Sequence, residues 1–150
     1  GCSSDLKPKM ATAYSSSRIA NKVPARGAVG EVTSVFADFT FPAAPAVNDT
    51  VKMFTLPKGA VLLEMLLTAD DLDTGGTPAI MLQVGDGTTA DLFFYADGVA
   101  KTGGMSRMSN PARLGQALAA DTDVVVKVST APATGAVGKI GLAALYAMQQ

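Results

Sequence analysis

From Glu31 onward, apolar and polar residues alternate with a period of two, the spacing of strands that lay one face on a core. In residues 32–41, Val35, Ala37, Phe39 and Phe41 fall on one face, with Ser34, Asp38 and Thr40 on the other. Pro42 and Pro45 end that strand, because proline has no N–H to give to a ladder. Residues 51–56 make a short strand closed by the turn Pro57-Lys58-Gly59. Residues 60–68 are almost all apolar and predict a strand buried on both faces. Leu, Met and Glu in that run also suit a helix, but the turns on either side favour a strand.

The alternation then resumes. Residues 78–84 set Ile80, Leu82 and Val84 against Met81 and Gln83, and Gly85-Asp86-Gly87 is a tight-turn signal. Residues 91–96 carry Phe93, Phe94 and Tyr95, and a polar, glycine-rich stretch follows over 97–110. Residues 124–129 are β-branched, and Thr134-Gly135 turns into a last strand over 137–148. There Ile140, Leu142, Ala144 and Tyr146 oppose Lys139, Gly141 and Leu145. Only residues 111–120 suit a short helix. Seven or eight short strands with turns every 8–12 residues predict an all-β sandwich or barrel over residues 31–150. Strands do not alternate with helices and no repeat is visible, which argues against parallel α/β folds, solenoids and propellers.

The first thirty residues differ. Lys7, Lys9, Arg18, Lys22 and Arg26 face one acid, Asp5, so this stretch carries +4 against −5 for the remainder. Rich in Ser, Ala and Gly, and without apolar periodicity, it cannot alone offset its ordering entropy. It is read either as a disordered tail or as an extended basic arm that orders on an acidic partner or a neighbouring copy.

Composition narrows the chemistry. The 150 residues suit one domain with a core that needs no disulfides, and the net charge of −1 gives no pull toward nucleic acid or membrane. The chain has no histidine, which removes His-based triads and most zinc sites. With Cys2 the one cysteine, no internal disulfide can form. Gly1-Cys2-Ser3-Ser4 resembles a processed lipoprotein end, although a lipidated cysteine would come first, and Asp5 breaks a myristoylation pattern. No run is long enough to span a membrane as a helix.

Each remaining candidate has a plain alternative. Asp70, Asp71 and Asp73 in a glycine-containing loop could hold calcium, but they lack the EF-hand spacing, and turn aspartates are commoner. Glu64 inside an apolar run is read as a partner for a lysine across an interface, or as an edge residue facing solvent. Gly85-Asp86-Gly87 and Gly103-Gly104 are not phosphate cradles, having no following helix and no Gly-Lys-Ser/Thr. Phe93, Phe94 and Tyr95 lack interleaved bases and read as core and interface residues rather than a stacking platform.

Four stretches carry a resemblance: Leu56-Pro57-Lys58-Gly59-Ala60-Val61-Leu62, residues 68–76 (Thr68 to Gly76), Leu82-Gln83-Val84-Gly85-Asp86-Gly87-Thr88, and residues 138–146, which end on Tyr146. They resemble the capsid decoration, or cement, proteins of tailed bacteriophages, which have a jelly-roll-like β fold, and the resemblance covers about residues 50–148. The resemblance implies a non-enzymatic virion protein, without cofactor or metal, on the capsid exterior. It would bind the major capsid protein, bridge its subunits and act as a homo-oligomer, a dimer or trimer, with terminal arms reaching across subunits. Under it, Lys7, Lys9, Arg18, Lys22 and Arg26 are the expected arm contacts, and Phe93, Phe94 and Tyr95 a candidate interface. The competing functions are a receptor- or glycan-binding tail or fibre module, and a carboxylate enzyme built on Glu64 or residues 70–73.

Overall fold

The computed structural model describes residues 11–20 and 31–149. Nine strands follow in order: β1 (Ala13–Ser15), β2 (Thr33–Thr40), β3 (Thr50–Leu56), β4 (Ala60–Ala69), β5 (Met81–Gly85), β6 (Phe94–Asp97), β7 (Gly104–Arg107), β8 (Thr122–Thr130) and β9 (Lys139–Met148). They form two sheets, one ordered β1-β3-β8-β5-β6 and the other β2-β9-β4-β7. Without β1, each sheet has four strands, and every connection from β2 to β9 crosses between sheets except β5 to β6. That winding is a jelly roll, as the sequence predicts.

Alternation fixes which side chains meet between the sheets. Val35, Ala37 and Phe41, Ile80, Leu82 and Val84, Val124, Val126 and Val128, and Ile140, Leu142, Ala144 and Tyr146 are all buried. They join Met53, Phe54, Leu56, Leu62, Met65 and Leu67 in one core. The Pro57-Lys58-Gly59 turn between β3 and β4 is closed by the Ala60 N–H on the Pro57 carbonyl at 3.1 Å. Gly59 sits there at φ 86°, the left-handed position such a turn demands of its third residue.

The structure departs from the pattern in three places. Residues 111–120 form no helix beyond one 3-10 turn, Pro111–Arg113, started by Asn110, whose side chain accepts from the Ala112 N–H. The stretch instead runs along β4, with Gly115 N–H on the Leu62 carbonyl and Leu118 N–H on the Ala60 carbonyl, both at 2.9 Å. It covers the β4 edge that the four-residue β7 leaves open. Second, the polar stretch 97–110 contains β7 itself, an edge strand with too few buried residues to alternate. Third, β4 is not buried on both faces: Leu63 is exposed, and Val61, Leu66 and Thr68 are half-buried.

Residues 11–20 pack against the domain. β1 pairs parallel with β3, matching Ala13, Tyr14 and Ser15 to Thr50, Val51 and Lys52, and a 3-10 turn, Ser17–Ala20, follows.

Candidate functional site

The aspartates of residues 70–73 are tied into backbone hydrogen bonds. Asp73 is 1% exposed, and its carboxylate accepts five backbone N–H groups. Gly75 and Thr134 donate to Oδ1 at 3.1 and 2.9 Å; Ala79, Ile80 and Ala133 donate to Oδ2 at 2.7, 3.2 and 2.8 Å. Burial alone pushes its pKa up, but the N–H groups of Thr134, Ala79, Ala133 and Gly75 outweigh it and hold the carboxyl well below the usual carboxylate range. Asp71 accepts from the Asp73 N–H at 3.0 Å, and Asp70 from the Lys139 N–H at 2.9 Å. Asp70 and Asp73 therefore knit the 70–80 loop to residues 133–139 while Asp71 closes a turn within it, and among the described residues no group of acids, His or Cys is gathered for a metal ion.

Glu64 follows a bulge between Leu62 and Glu64 that shifts the β4 register against β9. Its partner is Arg107 of this same chain, on β7, with Nε and Nη2 both 2.5 Å from Oε1. The lysine expected across an interface is replaced by this intrachain arginine.

Of the expected arm contacts, Lys7, Lys9, Lys22 and Arg26 lie outside the described residues. Arg18 lies in the 3-10 turn after β1 and is half-buried, and its Nε is enclosed with no hydrogen-bond partner among the described residues. Burial pushes the Tyr146 phenol up, and the nearby Arg18 cation opposes that rise. Three features pin this segment to the domain. Asp49 accepts the Thr12 N–H at 2.8 Å, while Thr12 accepts from the Thr50 N–H at 3.0 Å. Ser16 donates its N–H to the Lys52 carbonyl at 2.7 Å and its hydroxyl to the Met53 carbonyl. Tyr14 closes an aromatic trio, with its ring centroid 4.9 Å from Phe39 and 5.7 Å from Phe41. The lone aromatic in a Ser/Ala stretch was the readable sign of this anchor.

Of the candidate interface aromatics, Phe93 and Phe94 are fully buried in the core and present nothing to a partner. They lie there because Phe93 bonds back to β5, its N–H on the Val84 carbonyl at 2.9 Å, which turns both rings inward. Tyr95 is 48% exposed, and its hydroxyl donates to the Asn110 side chain at 3.1 Å.

The outer faces of the two sheets differ sharply in character. On the β3-β8-β5 face stand Thr50, Lys52, Thr55, Asp123, Lys127 and Gln83 around Val125, with Lys52 and Asp123 paired at 3.5 Å. On the β2-β9-β4-β7 face, register aligns Phe36, Ala143, Leu66 and Arg107 in one row, and Asp38, Gly141, Thr68 and Met105 in the next. Leu145 lies between Ser34 and Glu64. Phe36 is 55% exposed and Met105 66%. A Cβ on Gly141 would come within 3.0 Å of the Phe36 ring and 2.6 Å of Thr68 Oγ1, so the missing side chain is what lets that ring lie over β9. The Asp38–Lys139 and Glu64–Arg107 pairs flank this apolar patch, giving it an apolar centre and a charged rim. Its sign in the sequence is that β4 and β9 are apolar at successive positions, not at alternate ones.

No protein-family model and no curated protein sequence matches the chain. Solved structures do. A chain in the capsid of Ralstonia phage GP4 is 32% identical, with TM-score 0.82, over 93% of this chain and 99% of that one. A chain of the cyanophage Pam1 capsid asymmetric unit is 31% identical, with TM-score 0.75, over 85% of this chain and 91% of that one. The acid-stable capsid of Helicobacter pylori bacteriophage KHP30 holds a chain with the same fold, at TM-score 0.54 and 22% identity over 77% of this chain and 86% of that one. With two phage capsid chains matched at this identity and TM-score along nearly their whole lengths, this protein belongs to that family of β-fold bacteriophage capsid proteins.

Proposed function

We propose that the protein is a decoration protein that binds the outside of a phage capsid as a homo-oligomer, bridges neighbouring major-capsid subunits and stabilises the shell. The observation that carries this reading is the end-to-end match with the GP4 capsid chain, which covers 99% of that chain. A capsid part of this size is one small jelly roll, which suits a component added to a lattice. Repetition over a symmetric shell then makes weak single contacts sufficient through avidity.

The N-terminal segment supplies the contact. β1 and the Asp49–Thr12 bond fix a point from which Lys7 and Lys9 precede the domain and Lys22 and Arg26 follow β1. Basic residues on either side of an anchored strand complement an acidic shell, and Tyr95 offers an aromatic contact of its own. The tied-up carboxylates fit a structural role in the virion rather than catalysis.

The test is to add purified full-length protein to expanded heads that lack it, and to image them at low resolution. Binding should saturate at a fixed copy number with new density outside the shell. Density within the shell, or on the tail, would sink the proposal. The double variant Lys7→Glu with Lys9→Glu keeps every described contact and should bind more weakly, with the loss larger at low salt. Binding of undiminished strength would remove the arm from the mechanism.

A further inference from the structure

We infer that the pocket between the 86–90 loop and the start of β3 is a binding site for a carboxylate carried on a short aliphatic stem. It opens on the polar β3-β8-β5 face and stands independently of the decoration reading.

Two turns meeting the sheet make the pocket. At the end of β5, a Cβ on Gly85 would lie 1.9 Å from the Thr89 carbonyl oxygen, so only glycine lets the 86–90 loop fold straight back over the sheet. Asp86 holds that loop, accepting the Thr88 and Thr89 N–H groups on Oδ1 at 2.9 and 2.6 Å. The opposite wall is the turn before β3, where Asn48 takes φ 68° and gives its N–H to the Val128 carbonyl at 2.8 Å. Both walls are tied down by the chain itself, and a cavity of about 200 Å³ lies between them. That is below the roughly 300–1,000 Å³ of drug-sized sites, so it takes a small group. Because the walls are already in place, binding orders little of the protein.

The lining selects the ligand. Its floor is apolar, made by Ala90 and by Val125, which is only 6% exposed although it stands on an outer face. Around that floor Lys127 brings a cation, Thr50 and Thr88 bring hydroxyls, and Asn48 an amide. Lys127 is half-buried and sits across from Thr50 on one side and Gln83 on the other, with no acid opposite. Lys52 on the same face has Asp123 at 3.5 Å, but Lys127 has no ion pair among the described residues. The acids of the two walls are engaged elsewhere: Asp49 accepts from Thr12 and Ala46 at 2.8 and 2.9 Å, and Asp86 from its own loop.

Other ligand classes fit less well. No acid lines the pocket, which leaves nothing to hold a cation, and no aromatic ring lines it for a sugar to stack on. A phosphate draws on several cations or a run of free N–H groups, and those of Thr88 and Thr89 are already bound to Asp86. One carboxylate matches one ammonium with hydroxyl donors beside it, and its stem matches the Val125 floor.

The experiment is a titration of the full chain with butyrate at pH 7 and constant ionic strength, read by amide NMR. Shifts should saturate with a midpoint of about 1 mM and stay within residues 48–50, 87–90 and 125–127. Butyramide, which keeps the shape and loses the charge, should bind at least about tenfold more weakly, and so should butyrate to Lys127→Met. Shifts spread over the whole surface, an equal response to butyramide, or unchanged binding by the folded variant overturns the proposal. Should Lys127→Met misfold, Thr88→Val on the exposed loop takes its place and should weaken butyrate about threefold. Unchanged binding there has the same overturning force. Acetyl-glutamate amide then separates the sources. Binding at least as tight as that of butyrate assigns the pocket to an acidic side chain of another protein, and binding of butyrate alone assigns it to a free small acid. Saturation by neither overturns the site.

Discussion

At the scale of the residue, Asp73 shows how a carboxylate can be structural without an ion partner. Five N–H groups from residues 75, 79, 80, 133 and 134 converge on its two oxygens. Because its pKa is lowered in the folded chain, its stabilising effect is complete above the ordinary carboxylate pKa of about 4. It is lost as pH falls below that value toward the folded pKa, because the unfolded chain then binds more protons. Denaturant melts taken from pH 7 down to pH 2 should show stability falling over that acid range, and Asp73→Asn should flatten the fall. The same substitution puts an NH2 group against amide donors that need an acceptor, so its melting temperature at pH 7 should drop by roughly 10 °C. A melting temperature within a degree of the parent would show that the amide cage contributes little.

Gly141 makes the complementary case, a residue whose value lies in what it lacks. A Gly141→Val chain must push aside both Phe36 and Thr68. Overpacking of this kind should cost about 1–3 kcal/mol in urea unfolding and displace the Phe36 ring.

At the scale of the element, the N-terminal strand has three residues and is held by its two flanking anchors more than by its own ladder. Removing the ring in Tyr14→Ala should lower global stability by about 2 kcal/mol, less than for a fully buried aromatic because Tyr14 is half-buried. Amide exchange at residues 12–16 should quicken more than in β8. Equal protection would mean the backbone pairing alone holds the strand.

The elements also show what could be read in advance. β2, β3, β5, β8 and β9 were legible because each sends a core side chain inward at every second position over most of its length, as Val35 and Ala37 do between Ser34 and Asp38 in β2. β1 and β7 were not, because three- and four-residue edge strands offer too few positions for a period to show. The 111–120 stretch has a helix-like composition, but its N–H groups go to the Leu62 and Ala60 carbonyls, and tertiary pairing overrides propensity. Phe93, Phe94 and Tyr95 looked equivalent on the page; only the loop's return to β5 separates two core rings from one exposed ring. The apolar outer face was half visible, in β4 read as buried on both sides, but it took the register to bring Phe36, Leu66 and Met105 together.

At the scale of the molecule, the two outer faces give the protein a polar side and an apolar side. Retention on a weakly hydrophobic column should fall with Phe36→Thr and stay unchanged with Lys52→Thr, which alters the polar face. Equal effects from both substitutions would show that the asymmetry has no consequence in solution.

The winding has another consequence, for how the protein is made. β9, the last strand, lies in the interior of its sheet between β2 and β4, and supplies Ile140, Leu142, Ala144 and Tyr146 to the core. Until β9 is in place, β2 and β4 have no common neighbour and the sandwich cannot shut. A product clipped before β9 therefore stays open to proteases, while one that carries β9 closes around a continuous core.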